Sequence, residues 1–213
     1  MSGIGASGLT RRGLCLVIAA PSGAGKSTIA RALLASEPDL ALSVSVTTRA
    51  PRGNEREGEH YYFCDEAAFR MLVESGGLLE WAEVFGRCYG TPREPVERAL
   101  AAGQDVLFDI DWQGYRQLRV ALPGDVVGVF VLPPSLAALK ARLHGRGADD
   151  VAEIERRMRA AQAEINHWHE FDHVVVNENL EAAVAGVREV LHAARLATAR
   201  QTGLPRFIAS FGD

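Results

Sequence analysis

The chain has 213 residues, enough for one α/β domain with an inserted lobe but hardly for two independent domains. Apolar residues make up 47% and charged residues 23%, the balance of a soluble globular protein with a sizeable core. A formal net charge of -4 excludes bulk electrostatic adhesion to nucleic acid or to an anionic membrane, so any anion site has to be built locally.

The elements read in chain order as follows. Residues 1–12 are rich in glycine and serine and are expected to fray. Arg11-Arg12 ahead of the apolar run Leu14–Ala19 has the look of a twin-arginine signal. That run is short and passes straight into a glycine-rich loop, so it reads as a strand buried on both faces of a parallel sheet. No run approaches the ~18 apolar residues of a membrane span. From Lys26 to Ser36 the apolar positions Ile29, Leu33 and Leu34 make one helical face. Leu42–Val46 is a short strand candidate.

Between about Thr47 and Gly90 the character changes. A polar loop from Arg49 to Glu59 leads to Tyr61-Tyr62-Phe63-Cys64, and Asp65 is placed to cap a helix carrying Phe69, Leu72 and Val73. Gly76-Gly77 closes that helix, and Leu78–Val84 follows as a strand. The stretch reads as a small mixed lobe inserted into the core. Alternation then resumes: a helix near 92–102, a strand Asp105–Ile110, a helix near 112–121 and a strand Val126–Leu132. Pro133-Pro134-Ser135 opens a helix, His144-Gly145-Arg146-Gly147 interrupts, and a charged helix runs from about Asp149 to Trp168. A strand His173–Val176 and a long helix at 179–199 complete the pattern. Strands alternating with helices predict a parallel sheet covered on both faces.

Ala20-Pro21-Ser22-Gly23-Ala24-Gly25-Lys26-Ser27, followed by Thr28, carries the chemistry of a phosphate-binding P-loop between strand and helix. Ala20 stands where the strict pattern asks for glycine; Gly23 and Gly25 are present and let backbone N–H groups converge on an anion. Of the 23 basic residues only Lys26 and Lys140 are lysine, which makes a lysine at the end of this loop informative. Lys26 is expected to reach the transferred phosphate and Ser27 to ligate Mg²⁺. Asp109, closing an apolar strand, is the candidate acid for the metal, directly or through water. Cys15, Cys64 and Cys88 are odd in number and widely spaced, which suggests reduced thiols in a cytoplasmic protein. His167, His169 and His173 lack the spacing of a metal site, and Trp81, Trp112 and Trp168 read as packing residues.

Several further motifs stand in order: Ser45-Val46-Thr47-Thr48-Arg49-Ala50-Pro51-Arg52, Glu59-His60-Tyr61-Tyr62-Phe63, Glu80-Trp81-Ala82-Glu83-Val84-Phe85-Gly86, Tyr89-Gly90-Thr91 and Asp109-Ile110-Asp111-Trp112-Gln113-Gly114. From about Gly13 to the C-terminal helix the chain resembles the guanylate kinases. The resemblance implies a P-loop NTPase-type α/β core (13–44 and 92–199), a GMP-binding lobe (45–91) and an arginine-bearing lid (about 142–157). Residues 1–12 and 200–213 are then a flexible N-terminus and a C-terminal tail.

By that resemblance Arg49, Arg52, Tyr61 and Tyr89 hold the acceptor phosphate, and Glu80 reads guanine with Ser45, Thr91 and Asp111 around the base. Two guanidiniums flanking Pro51 suit one phosphate, and a carboxylate can accept from the guanine ring N–H and exocyclic amine together. Arg142, Arg146 and Arg157 become catalytic lid arginines beside Lys26, Gly145 and Gly147 a hinge, and Asn177 a contact to adenine. The family often carries serine at the position of Thr91 and tyrosine at that of Cys88. The implied reaction is ATP-dependent phosphorylation of GMP, with dGMP as a second acceptor, in purine nucleotide metabolism, with no nucleic-acid or membrane partner. A P-loop kinase of a phosphorylated sugar and a non-catalytic binding module of the same fold stay open as alternatives. Oligomeric state is open as well.

Overall fold

The computed structural model describes residues 9–84, 86–144 and 151–212. Five strands form a wholly parallel sheet: β1 (Cys15–Ala19), β2 (Leu40–Leu42), β7 (Asp105–Phe108), β8 (Val126–Leu132) and β9 (His173–Val176), in the order β2-β7-β1-β8-β9. All five residues of β1 are buried, because helices cover both faces of the central strand. On one face Leu16, Ile18 and Val129 pack with Ile29 and Leu33 of α1 (Lys26–Ser36) and Val187 and Leu191 of α7 (Leu180–Arg195). On the other, Val17, Phe108 and Phe130 pack with Leu100 of α3 (Arg93–Ala101) and Tyr115 and Leu118 of α4 (Trp112–Ala121). Odd and even positions of β1 feed opposite layers, as the period of a strand requires.

A second, mixed sheet of four strands runs β4-β3-β6-β5, built from β3 (Ser45–Thr47), β4 (Tyr61–Phe63), β5 (Leu78–Val84) and β6 (Arg87–Pro92). Its apolar face, with Val46 and Leu78, is closed by Phe69 of α2 (Glu66–Glu74). Asp65 caps α2 by accepting the Ala68 N–H at 2.7 Å, as its position before the apolar face predicts.

The expected strand Leu42–Val46 is instead two strands in different sheets: β2 ends at Leu42 and β3 begins at Ser45. Ser43 and Val44 form the crossover between the sheets, with Ser43 N–H held by Leu107 O at 2.9 Å. The strand expected to reach Ile110 stops at Phe108, which leaves Asp109 and Ile110 in the turn above the sheet.

Two more helices complete the chain's second half before α7: α5 (Leu136–His144) and α6 (Val151–Ile165). Leu139 and Leu143 of α5 pack on Ile154 and Ala161 of α6. The charged helix thus ends at Ile165, ahead of a short 3-10 turn at Trp168–Glu170.

Arg11 and Arg12, in the stretch expected to be flexible, are held against the core. Arg11 makes a bidentate bridge to Asp105, Arg12 one to Asp125, and Arg12 N–H bonds to Arg200 O at 2.8 Å. Past α7 come a 3-10 turn with buried Arg200 and the short helix α8 (Leu204–Ala209). Trp112 packs as expected, stacked 3.6 Å from the His167 ring, whereas Trp81 and Trp168 are about half exposed. The three cysteines are free thiols, and burial pushes that of Cys15 up to about 12, so it stays protonated. Among the described residues no helix is long and apolar enough to cross a membrane.

Candidate functional site

β1 ends at Ala19 and α1 begins at Lys26, so residues 20–25 bridge a buried central strand and a helix N-terminus. Gly23 and Gly25 sit at φ of 93° and 103°, the left-handed region that only glycine enters cheaply. Space forbids a side chain as well: a Cβ on Gly25 would lie 2.4 Å from Asn177 Nδ2. The N–H groups of Ala24 and Thr28 close turns onto Pro21 O and Gly25 O. Among the described residues those of Gly23, Gly25, Lys26 and Ser27 have no acceptor in the protein. Four open N–H groups at the positive end of a helix form a cradle for an anion.

Lys26 Nζ lies 2.6 Å from Asp109 Oδ1 and 3.3 Å from Ile110 O, and Ser27 Oγ donates to Asp109 Oδ2 at 3.2 Å. One hydroxyl and one carboxylate beside open N–H groups are hard oxygen donors that fit Mg²⁺ arriving with a polyphosphate. Among the described residues no three His, Cys, Asp or Glu side chains are gathered into a metal-binding group.

Two arginines expected at the phosphates and the asparagine expected at adenine lean on the loop. Arg142 on α5 donates to Asn177 O at 2.8 Å and to Ala24 O at 3.4 Å. Arg157 on α6 donates to Ser22 Oγ at 2.7 Å. Asn177, expected against adenine, is buried, and its amide Nδ2 donates to Ala24 O at 2.7 Å. In this structure it braces the loop from beneath, because β9 ends under the turn at Ala24. Arg146, Gly145 and Gly147 lie outside the described residues.

The second sheet gathers the remaining expected residues. Glu80 on β5 and Thr91 on β6 are a cross-strand pair, and Thr91 Oγ1 donates to Glu80 Oε1 at 2.6 Å. Glu80 is only 7% exposed, and burial raises its pKa above the usual carboxylate range, with the charge of Asp111 adding to the rise. Gly114 leaves room for it, since a Cβ there would be 3.2 Å from Glu80 Oε2. Asp111 is the N-cap of α4, accepting from Gln113 N and Gly114 N at 2.9 Å each. Gln117, one turn on, pairs both ways with the Trp81 backbone at 3.1 and 3.0 Å and so fixes α4 to the strand that carries Glu80.

Ser45 opens β3 and pairs with Tyr61 of β4, while Tyr89 of β6 pairs with Thr47. The Tyr61 and Tyr89 rings meet edge-on at 6.2 Å, and the Arg49 guanidinium lies 5.2 Å over Tyr61. Arg52 is at the exposed loop beyond Pro51. The structure therefore brings Arg49, Tyr61 and Tyr89 into one cluster on the lobe, and sets Glu80 and Thr91 of the lobe beside Asp111 at the start of α4.

Two carboxylates escaped the sequence reading. Glu55 bridges Arg49, and Glu164 on α6 accepts the Ser22 N–H at 3.2 Å. Burial raises the pKa of Glu164, and the charge of Asp111 adds to the rise. Asp111 thus acts on both Glu80 and Glu164, so the P-loop side and the second sheet converge on it. The only signal in the sequence was their placement, Glu55 three residues after Arg52 and Glu164 two turns past Arg157 on the same helix.

A family model described as guanylate kinase matches residues 12–194. A guanylate kinase of Gluconobacter oxydans is 64% identical over 203 residues, covering 95% of this chain and 98% of that protein. One of Granulibacter bethesdensis is 62% identical over 203 residues, covering 95% and 94%. The crystal structure of guanylate kinase from Anaplasma phagocytophilum superposes with a TM-score of 0.73 at 37% identity, covering 95% of this chain and 96% of that one. The family model and these relatives match nearly the whole length of the chain, and the chain belongs to the guanylate kinase family.

Proposed function

We propose that this protein transfers the γ-phosphate of ATP to GMP, giving ADP and GDP by direct in-line displacement. The observation that carries the reading is Glu80: a carboxylate buried on the inserted lobe, held by Thr91 and given no cationic partner among the described residues. Such a group is costly unless a ligand supplies donors, and guanine offers two on one edge. Adenine would turn a lone pair toward it and forfeit both bonds.

On this reading Ala20 to Thr28 wrap the donor phosphates, and Lys26 swings from Asp109 to the phosphoryl group in transfer. Arg142 has donors beyond the two it spends on carbonyls, and with Arg157 and Arg146 it neutralises charge shared between donor and acceptor. Asn177 braces the loop at Ala24 with one N–H of its amide, which leaves its second N–H and its oxygen for adenine. Ser27 and Asp109 are the residues that would hold Mg²⁺, directly or through water; the ion would offset phosphate charge. Arg49, Arg52, Tyr61 and Tyr89 take the GMP phosphate, with Glu80, Ser45, Thr91 and Asp111 at the base. The acceptor is already an anion, so no general base is needed, and catalysis rests on positioning and charge. Because these contacts are to base and phosphate, dGMP is proposed as a second acceptor. Three free thiols fit a reducing compartment, from which we infer a cytoplasmic location.

A coupled assay with GMP, AMP, UMP and ribose 5-phosphate tests this directly. GMP should be the preferred acceptor, Glu80→Gln should lose that preference, and Lys26→Ala should lower kcat by roughly 10²–10³ with its fold retained. Equal turnover of all acceptors, or full turnover by Lys26→Ala, would overturn the assignment.

A further inference from the structure

Glu55 lies in the polar loop between β3 and β4, where six of the eleven residues from Arg49 to Glu59 are charged. Its carboxylate takes both arms of the Arg49 guanidinium: Nη1 donates to Oε2 at 3.0 Å and Nη2 to Oε1 at 2.8 Å. Oε2 also accepts the Arg52 backbone N–H at 2.8 Å, and Arg49 Nη1 donates to Ala50 O at 2.8 Å. The two side chains are 10% and 23% exposed, so this is not a loosely held surface pair. The carboxylate keeps Arg49 charged well beyond its usual range, and the Tyr89 hydroxyl further stabilises the charged form.

A guanidinium has five N–H donors on a planar fork. An end-on pair with Glu55 occupies one hydrogen on each terminal nitrogen and leaves the side edge, Nε with Nη2, for another anion. Tyr61 lies under the same group at 5.2 Å, so the plane of the guanidinium is supported as well as its end. An arginine without such a clamp gives up its rotamer freedom only when it meets the anion, at the expense of affinity.

We propose that Glu55 is a positioning residue for the acceptor phosphate: it clamps Arg49 end-on and ties down the Arg52 backbone, so that the Arg49 side edge is presented before the nucleotide arrives. This rests on the reading of Arg49 and Arg52 as ligands of the GMP phosphate. The rival sign is clear, since a carboxylate that merely blocked the fork would have to leave, and its removal would tighten GMP binding.

Steady-state kinetics of Glu55→Ala, Glu55→Gln, Arg49→Ala and the double Arg49→Ala/Glu55→Ala, with thermal midpoints alongside, decide the matter. Glu55→Ala should raise KM for GMP about tenfold while KM for ATP and the midpoint stay near those of the parent. Glu55→Gln should fall between, because its amide oxygen still accepts one of the two fork bonds. The double variant should be no worse than Arg49→Ala alone, because the two residues act as one unit. An unchanged or lowered KM for GMP in Glu55→Ala, an equal rise in KM for ATP, or additive effects in the double variant would overturn the proposal. Arg49→Ala with an unchanged KM for GMP would instead bring down the acceptor-site reading itself, whatever Glu55 does.

Discussion

At the scale of single residues, Glu80 sets the most direct test. Burial is the main cause of its raised pKa, Asp111 adds to it, and the bond from Thr91 works the other way. A carboxylate with a raised pKa loses its charge while pH is still above the ordinary carboxylate value of 4.5. If the ionised form accepts from guanine, kcat/KM for GMP should fall on the acid side at a higher pH than an unshifted carboxylate would give. The same profile measured with ATP varied should lack that early limb, and Glu80→Gln should abolish it for GMP; identical limbs for both substrates would count against the role. The linkage to stability has the opposite sense. Ionised Glu80 costs the fold, so its contribution is fully present below the unfolded value and is lost as pH rises through the raised folded one. The cost is tolerated at a binding site because the ligand's donors offset it.

At the scale of elements, α4 can lie close on β8 because Gly128 has no side chain. A Cβ there would stand 2.4 Å from the Tyr115 ring, and the same ring's hydroxyl shares Asp172 with Gly128 N–H. Gly128→Ala must push α4 outward, and overpacking of this kind costs about 1–3 kcal/mol. Since α4 carries the Asp111 cap at its start and holds β5 through Gln117, the thermal midpoint should drop and KM for GMP should rise more than KM for ATP. A variant with the parent's midpoint would show that the helix tolerates the shift. These couplings were partly legible beforehand. The loop around Gly23, Gly25 and Lys26, the helices α1 and α4 and the strands β5, β8 and β9 follow from apolar period and glycine or proline punctuation. Leu42–Val46 deceived because no glycine or proline marks the crossover at Ser43 and Val44, so one apolar run served two sheets. Glu55 stayed hidden among other loop charges and Glu164 as one carboxylate on a long helix, and only the fold shows which carboxylate meets an arginine or a loop amide. Asp111 was read for its place near a base, while its cap on α4 depended on where the helix begins.

Across the whole molecule, the ends of the parallel strands divide the labour. The P-loop, Asp109 and Asn177 gather where β1, β7 and β9 finish, whereas charged groups lock the other end. Asp105, fully buried at the start of β7, takes two bonds from Arg11 and one from Arg195, which also bridges to Glu37 after α1. Arg12 and Arg200 flank Asp125 ahead of β8. Removing one partner from such a group leaves buried charge uncompensated, at about 3–5 kcal/mol. Asp105→Ala should therefore lose that much in denaturant unfolding while KM for both nucleotides stays put below the transition; a shift in KM would mean that the two ends are coupled. The first described residues and the last helix also meet at this end, Gly203 N–H bonding to Thr10 O at 2.9 Å. Because the strand that carries the P-loop starts beside the residue that opens α8, the linear order of the described elements closes into a ring. A circular permutation that links the α8 segment to Thr10 would trace the same sheets, with the P-loop face left untouched by the splice.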